Sequence, residues 1–174
     1  PDMKVIFSHG KESGPWGSKI SKLSNVAIEL GFEADSLDYS DLPNADERVL
    51  RLMNYIENET QPYILVGSSM GGYVSLVAAK DSQPLGVFLL APALYMPGYK
   101  HQNYSTNSTK ITIVHGWSDD VIPVDNVIKY ARESECSLHL IDGDHRLNSS
   151  LESVIELFEA FLKKLSLVGS ECSK

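Results

Sequence analysis

The feature that most constrains this chain is a repeated alternation. Short runs of consecutive apolar residues are separated by longer stretches in which apolar residues recur every three or four positions. Val5-Ile6-Phe7, Phe32 to Leu37, Tyr63 to Val66, Leu85 to Leu90, Ile111 to Val114 and Ser137 to Ile141 read as six strands. Gly17 to Leu30 reads as a helix with Ile20, Leu23, Ala27 and Leu30 on one face, stopped by Gly31. Asp46 to Glu59 reads as a second, with Val49, Leu50, Met53 and Ile56 on one face. Further helices are expected after the third strand as far as Lys80, from Val124 to Ser134, and from Leu147 to Leu165 with Leu151, Ile155, Phe158 and Leu162 aligned. Nearly continuous apolar strands that alternate with helices imply a parallel sheet covered on both faces. The expected fold class is α/β, a three-layer α/β/α sandwich around a parallel sheet of about six strands, with residues 1–174 forming one domain.

Composition narrows the partners. The net charge is −8, whereas binding a phosphate backbone calls for a basic face, so no nucleic-acid partner is expected. No apolar run approaches the ~20 residues that span a bilayer, and the first residues lack the pattern of a secretory signal. The expectation is therefore no membrane partner and a cytoplasmic location. Two cysteines, Cys136 and Cys172, make no disulfide framework and have no metal-like spacing to histidine. The tail Val168 to Lys174 reads as frayed. Ala91 to Lys110 is the longest stretch without periodicity, and a loop that long is usually functional or mobile.

Gly67-Ser68-Ser69-Met70-Gly71 fits the pattern G-x-S-x-G. In such a segment a sharp strand-to-helix turn pushes the serine hydroxyl out at the top of a sheet. The bare pattern occurs by chance in roughly one chain of this size in twenty, so its context has to decide. Here an apolar strand precedes it and a helix follows. The segment lacks the Lys-Ser/Thr ending of a P-loop and the G-x-G-x-x-G of a dinucleotide site. Ser69 is the candidate nucleophile. The backbone N–H of Met70 then points at an acyl oxygen from a helix N-terminus.

A serine hydroxyl needs a neighbouring base at neutral pH. Of the five histidines, His139 falls inside the sixth strand and His101 in the long loop, where it reads as solvated. His9 reads as a hydrogen-bonding residue that shapes its loop. His145 follows the sixth strand, at the sheet edge where open α/β folds bind ligands. The segment after the fifth strand, His115-Gly116-Trp117-Ser118-Asp119-Asp120, offers two acids, Asp119 and Asp120, to orient it.

Phe7-Ser8-His9-Gly10, Gly67 to Gly72 and His115 to Asp119, with His145 beyond, resemble the α/β-hydrolase superfamily in order and spacing. The small size and the opening His9-Gly10-Lys11-Glu12-Ser13 are similar to the compact capless serine esterases of the YqiA-like group. The resemblance runs from Val5 to about Leu165 and implies a minimal α/β-hydrolase fold without a cap domain. It favours Asp119 over Asp120 and implies Ser69, Asp119 and His145 as the catalytic residues. The second oxyanion donor is then the backbone N–H of Lys11, in the loop after the first strand. His9, Ser13, Trp16 and Tyr95 are the substrate-binding candidates. The implied activity is hydrolysis of small esters or thioesters through an acyl-enzyme, with no metal or organic cofactor. The competing expectation is a catalytically inactive member that binds a protein or small-molecule partner, a reading that exposed apolar residues at Leu94-Tyr95-Met96-Pro97 favour.

Overall fold

A computed structural model describes residues 2–105 and 109–172, with 168–172 described as backbone only. Thr106 to Ser108 of the long loop and the last two residues of the tail lie outside the described residues. Six parallel strands form one sheet: β1 (Lys4–Ser8), β2 (Glu33–Leu37), β3 (Tyr63–Ser68), β4 (Gly86–Leu90), β5 (Lys110–Gly116) and β6 (Ser137–Ile141). Their order is β2-β1-β3-β4-β5-β6. The helices are α1 (Ser18–Glu29), α2 (Ala45–Glu57), α3 (Met70–Ser82), α4 (Val124–Ser134) and α5 (Leu151–Cys172). α5 is continuous from Leu151 to Cys172, into the stretch read as a frayed tail. A single 3-10 turn, Asn148–Ser150, leads into it.

Strand residues alternate between two cores. Ile6, Leu65, Val87, Leu89, Ile111 and Ile113 face α2, α3 and α4. Val5, Phe7, Ile64, Val66, Phe88, Leu90 and Val114 face α1 and α5. The period of two along each strand and apolar residues on both sides are what a doubly covered sheet requires. Gly31 ends α1 in the left-handed region at φ 91°, as its position implies.

Two helices turn differently from expectation. α2 buries Ala45, Arg48, Leu52 and Ile56, while Leu50 is 66% exposed. The buried stripe is rotated because it includes an arginine, which a hydrophobic pattern reads as surface. α5 buries Val154, Phe158, Phe161, Leu162 and Leu165, so Leu151 and Ile155 lie at the edge of its stripe.

The strand order positions the site. β1 and β3 are neighbours in register, Ser8 against Gly67. The chain leaves β1 towards β2 on one side and β3 towards β4 on the other. Connections that diverge at the carboxyl ends of adjacent strands leave a crevice there. The loops after β1 and β3 flank it. Among the described residues no helix is long and apolar enough to cross a membrane.

Candidate active site

Ser69 follows β3 directly and caps α3 with φ 55° and ψ −118°. A non-glycine residue in such a conformation costs about 1–3 kcal/mol and persists only where its surroundings fix it. Here they do. The Ser69 N–H donates to Leu90 O at 2.9 Å, and Ser69 O accepts from the N–H groups of Gly72, Tyr73 and Ala93. The motif glycines allow the approach. A Cβ on Gly67 would lie 2.1 Å from Gly71 O, and one on Gly71 would lie 2.0 Å from Ser8 O. The turn after β3 is thus pressed against the end of β1. Met70, as the first helical residue, has no carbonyl in its own helix to donate to, so its N–H is free for an anion.

Three side chains from three loops meet at this turn. Ser69 Oγ lies 3.0 Å from His145 Nε2. His145 Nδ1 lies 2.8 Å from Asp119 Oδ2. A carboxylate on Nδ1 holds the proton there, which leaves the Nε2 lone pair facing the serine hydroxyl. The Asp119 side chain is fully buried while His145 is partly open to solvent. Asp119 Oδ1 accepts the N–H groups of Val121 at 2.9 Å and Ile122 at 2.8 Å. Asp120, the other acid considered, is exposed. Asp144 folds the turn behind His145 by accepting from the N–H groups of Arg146 and Leu147, each at 3.1 Å.

The spacing of the sequence assigns no role to a second histidine on Asp119. His115 is buried, with Nε2 3.2 Å from Asp119 Oδ2 and 3.0 Å from Ile122 O. Burial pushes its pKa down, so the ring is neutral. Its single proton belongs on Nε2 between two acceptors. Its Nδ1 has no hydrogen-bond partner among the described residues. The His-Gly-x-x-Asp spacing is visible in the sequence, yet a histidine at the end of a strand four residues before an acid in the following loop carries no signal of contact.

The remaining candidates divide. The loop after β1 touches the nucleophile, since a Cβ on Gly10 would lie 3.5 Å from both Ser69 Cβ and Ser13 Oγ. Lys11 and Ser13 follow on that loop, both exposed, and Trp16 is 50% exposed at its far end. Of the two readings of His9, a loop-shaping hydrogen-bonder and a substrate-binding candidate, its contacts fit the first. It is fully buried, its Nδ1–H donates to Gly10 O at 2.7 Å, and its Nε2 accepts from the Tyr39 N–H at 2.9 Å. With both nitrogens engaged it shapes the loop and has none left for substrate. Burial also pulls its pKa down. Tyr95 turns towards α4, with Lys129 Nζ 4.2 Å from its ring centroid and its hydroxyl 3.5 Å from Glu133. Burial pushes its phenol up to about 12. Leu94 beside it is fully buried, Met96 is half-buried and Pro97 is exposed, so the segment presents only part of the apolar surface that would favour partner binding.

His101 is half-buried, with its N–H donated to Tyr73 Oη, and it stays out of the site. His139 is half-buried on the edge strand β6. Lys19, which the sequence did not single out, donates to Arg146 O at 3.0 Å and ties α1 to the loop carrying His145. Among the described residues no group of three or more His, Cys, Asp or Glu is placed to hold a metal ion.

Comparison with known proteins gives the family. A family model described as the alpha/beta hydrolase domain matches residues 39–166. Among solved structures, a hydrolase of the alpha/beta superfamily from Xanthomonas campestris pv. campestris is 29% identical with a TM-score of 0.85, covering 92% of this chain and 98% of that one. Est1E from Butyrivibrio proteoclasticus is 18% identical with a TM-score of 0.81, covering 96% of this chain and 90% of that one. A serine hydrolase without a lid from Xanthomonas campestris is 20% identical with a TM-score of 0.69, covering 94% and 82%. The last two show the fold alone. No curated protein matches the chain.

Proposed function

This chain belongs to the alpha/beta hydrolase family, in its form without a cap, and on that premise we propose that it is a serine hydrolase cleaving small carboxylic esters or thioesters through an acyl-enzyme on Ser69. One observation carries the reading: the unbroken relay from Ser69 Oγ to His145 Nε2 at 3.0 Å and from His145 Nδ1 to Asp119 Oδ2 at 2.8 Å. In the proposed cycle His145 takes the serine proton as Oγ attacks the acyl carbon. The N–H groups of Met70 and Lys11 receive the oxyanion. His145 then protonates the leaving alcohol or thiol, and water repeats the sequence on the acyl-enzyme. Asp119 keeps His145 in the required tautomer and stabilises the imidazolium. No metal or cofactor takes part in these steps. Ser69 and His145 are half-buried under no cap, which favours small acyl groups over a lipid substrate. Ser13 and Trp16 are the side chains proposed to meet the acyl group.

The test is hydrolysis of short-chain esters and thioesters, followed for a burst of leaving group. Wild type turns over, and Ser69→Ala and His145→Ala each lose activity by about 10⁴-fold or more. A folded wild type that cleaves none of the panel, or a Ser69→Ala variant that cleaves it as well as wild type, contradicts the assignment.

A further inference from the structure

Arg48 is the largest fully buried side chain, 1% exposed, on the inner face of α2. Among the described residues no carboxylate lies within ion-pair distance of it. Its donors go to backbone carbonyls. Nε–H reaches Leu42 O at 2.7 Å, and Nη1–H is shared between His9 O at 3.1 Å and Gly10 O at 3.3 Å. The guanidinium carbon lies 5.4 Å from the centre of the Tyr39 ring. A guanidinium keeps its proton in a protein interior, so a positive charge with no carboxylate in contact is fixed against the loop after β1, with Asp41 acting on it only through space.

The Gly10 carbonyl is held by three donors: His9 Nδ1–H at 2.7 Å, Arg48 Nη1–H at 3.3 Å and Ser13 Oγ–H at 3.4 Å. The Gly10–Lys11 peptide is trans, so its N–H points opposite to that carbonyl. Fixing one end of a planar peptide fixes the other. The same glycine lies against the nucleophile, within 3.5 Å of Ser69 Cβ by the position its own Cβ would take. An acidic partner would cancel the field of the guanidinium. With none in contact, the charge remains available to a negative charge that appears only during reaction, in a region where water screens it weakly.

Granted that Ser69 is the nucleophile, we propose that Arg48 is the positioning residue of the oxyanion hole: it locks the His9-Gly10-Lys11 peptides so that the Lys11 N–H faces the acyl oxygen, and its unpaired charge favours the oxyanion. A side chain that merely fills the core would change stability and leave transition-state binding alone.

The experiment compares wild type, Arg48→Met and Arg48→Lys, each confirmed folded by circular dichroism. Steady-state kinetics on a short-chain ester are set beside the affinity for a trifluoromethyl ketone, whose serine adduct carries the oxyanion. Removing a direct oxyanion donor costs about 10²–10³ in kcat, so Arg48→Met, which loosens the peptide but leaves the Lys11 N–H donor present, should cost about 10- to 100-fold. KM should stay within about twofold, and ketone affinity should fall by the same factor as kcat. Arg48→Lys keeps the charge without the fork and should fall between. If Arg48→Met does not fold, matched losses of kcat and ketone affinity in Arg48→Lys support the assignment. A folded variant that keeps both, or loses kcat with ketone affinity intact, overturns it. A wild type that neither cleaves ester nor binds the ketone removes the Ser69 reading and this inference with it.

Discussion

The two faces of the sheet are both packed with aromatic rings, and they are built for different purposes. On the α1/α5 face the rings are phenylalanines: Phe88 lies 5.1 Å from Phe158 and 5.3 Å from Phe161, and Phe7 lies 6.3 Å from Phe158. On the other face they are tyrosines: Tyr73 lies 4.6 Å from Tyr99 and 6.2 Å from Tyr104, and Tyr104 lies 5.2 Å from Tyr95 and 5.9 Å from Tyr130. The hydroxyls make the difference. Tyr73 Oη donates to Asp46 at 2.6 Å and accepts the His101 N–H at 3.0 Å. Tyr104 Oη donates to His101 O at 3.0 Å and accepts the Tyr95 N–H at 2.9 Å. The described part of the long loop, 91–105, is thereby tied to α2 and α3. Arg48 and Tyr39 extend the same wiring to the loop after β1. One face gains stability from buried area, which has no direction. The other uses directional bonds to place backbone around Ser69.

The comparison predicts which substitutions damage chemistry and which damage stability. Asp119→Asn should lower kcat by about 10⁴-fold through the wrong His145 tautomer, with a melting temperature close to wild type. A loss of stability with little loss of kcat would show that the Asp119 contacts serve the fold first. Phe158→Ala should do the reverse, costing about 3–5 kcal/mol in denaturant unfolding while kcat per folded molecule stays near wild type. If kcat falls with it, the apolar face is not merely a support. Tyr73→Phe strands Asp46 Oδ1 and the His101 N–H and should cost about 1–3 kcal/mol, with faster amide exchange over residues 95–104. Unchanged exchange there would mean the tyrosine wiring does not hold the loop.

The smallest effect is in pH. His9 and His115 both have pKa values lowered by burial. Above about pH 6.5 each is neutral folded and unfolded, and neither affects stability. Below it the unfolded chain takes up protons that the folded chain refuses, so stability falls with pH by up to about 1.4 kcal/mol per unit for each histidine. The slope should shrink in His115→Gln. An equal slope in that variant would assign the acid sensitivity elsewhere.

Much of this was legible in the sequence, for identifiable reasons. Strands buried on both sides are written as apolar runs, and all six lie where those runs fall, with ends displaced by at most two residues. The motif and the loops after β5 and β6 point to Ser69, His145 and one of two acids, the resemblance favours Asp119, and the fold brings the three within hydrogen-bond reach. Periodicity reveals a helix but not its phase when a charge is buried. Arg48 at i+3 from Ala45 and four before Leu52 occupies a core position, so the stripe through Leu50 was misplaced. Contacts between residues far apart, such as Tyr73 with Asp46 or Arg48 with His9, leave no local pattern at all. Neither does the choice between a histidine that lines a site and one whose two nitrogens are already taken, which is why the sequence leaves His9 both as a loop-shaping residue and as a substrate-binding candidate.

The most direct test of the central claim is labelling with a fluorophosphonate, read by intact mass and peptide mapping. The account predicts a single phosphonyl adduct on the peptide containing Ser69 in wild type and none in Ser69→Ala. It predicts labelling in His145→Ala slower by about 10³-fold or more. A folded wild type that takes no label, or a label that persists in Ser69→Ala, would contradict it and return the chain to a hydrolase scaffold that binds rather than cleaves.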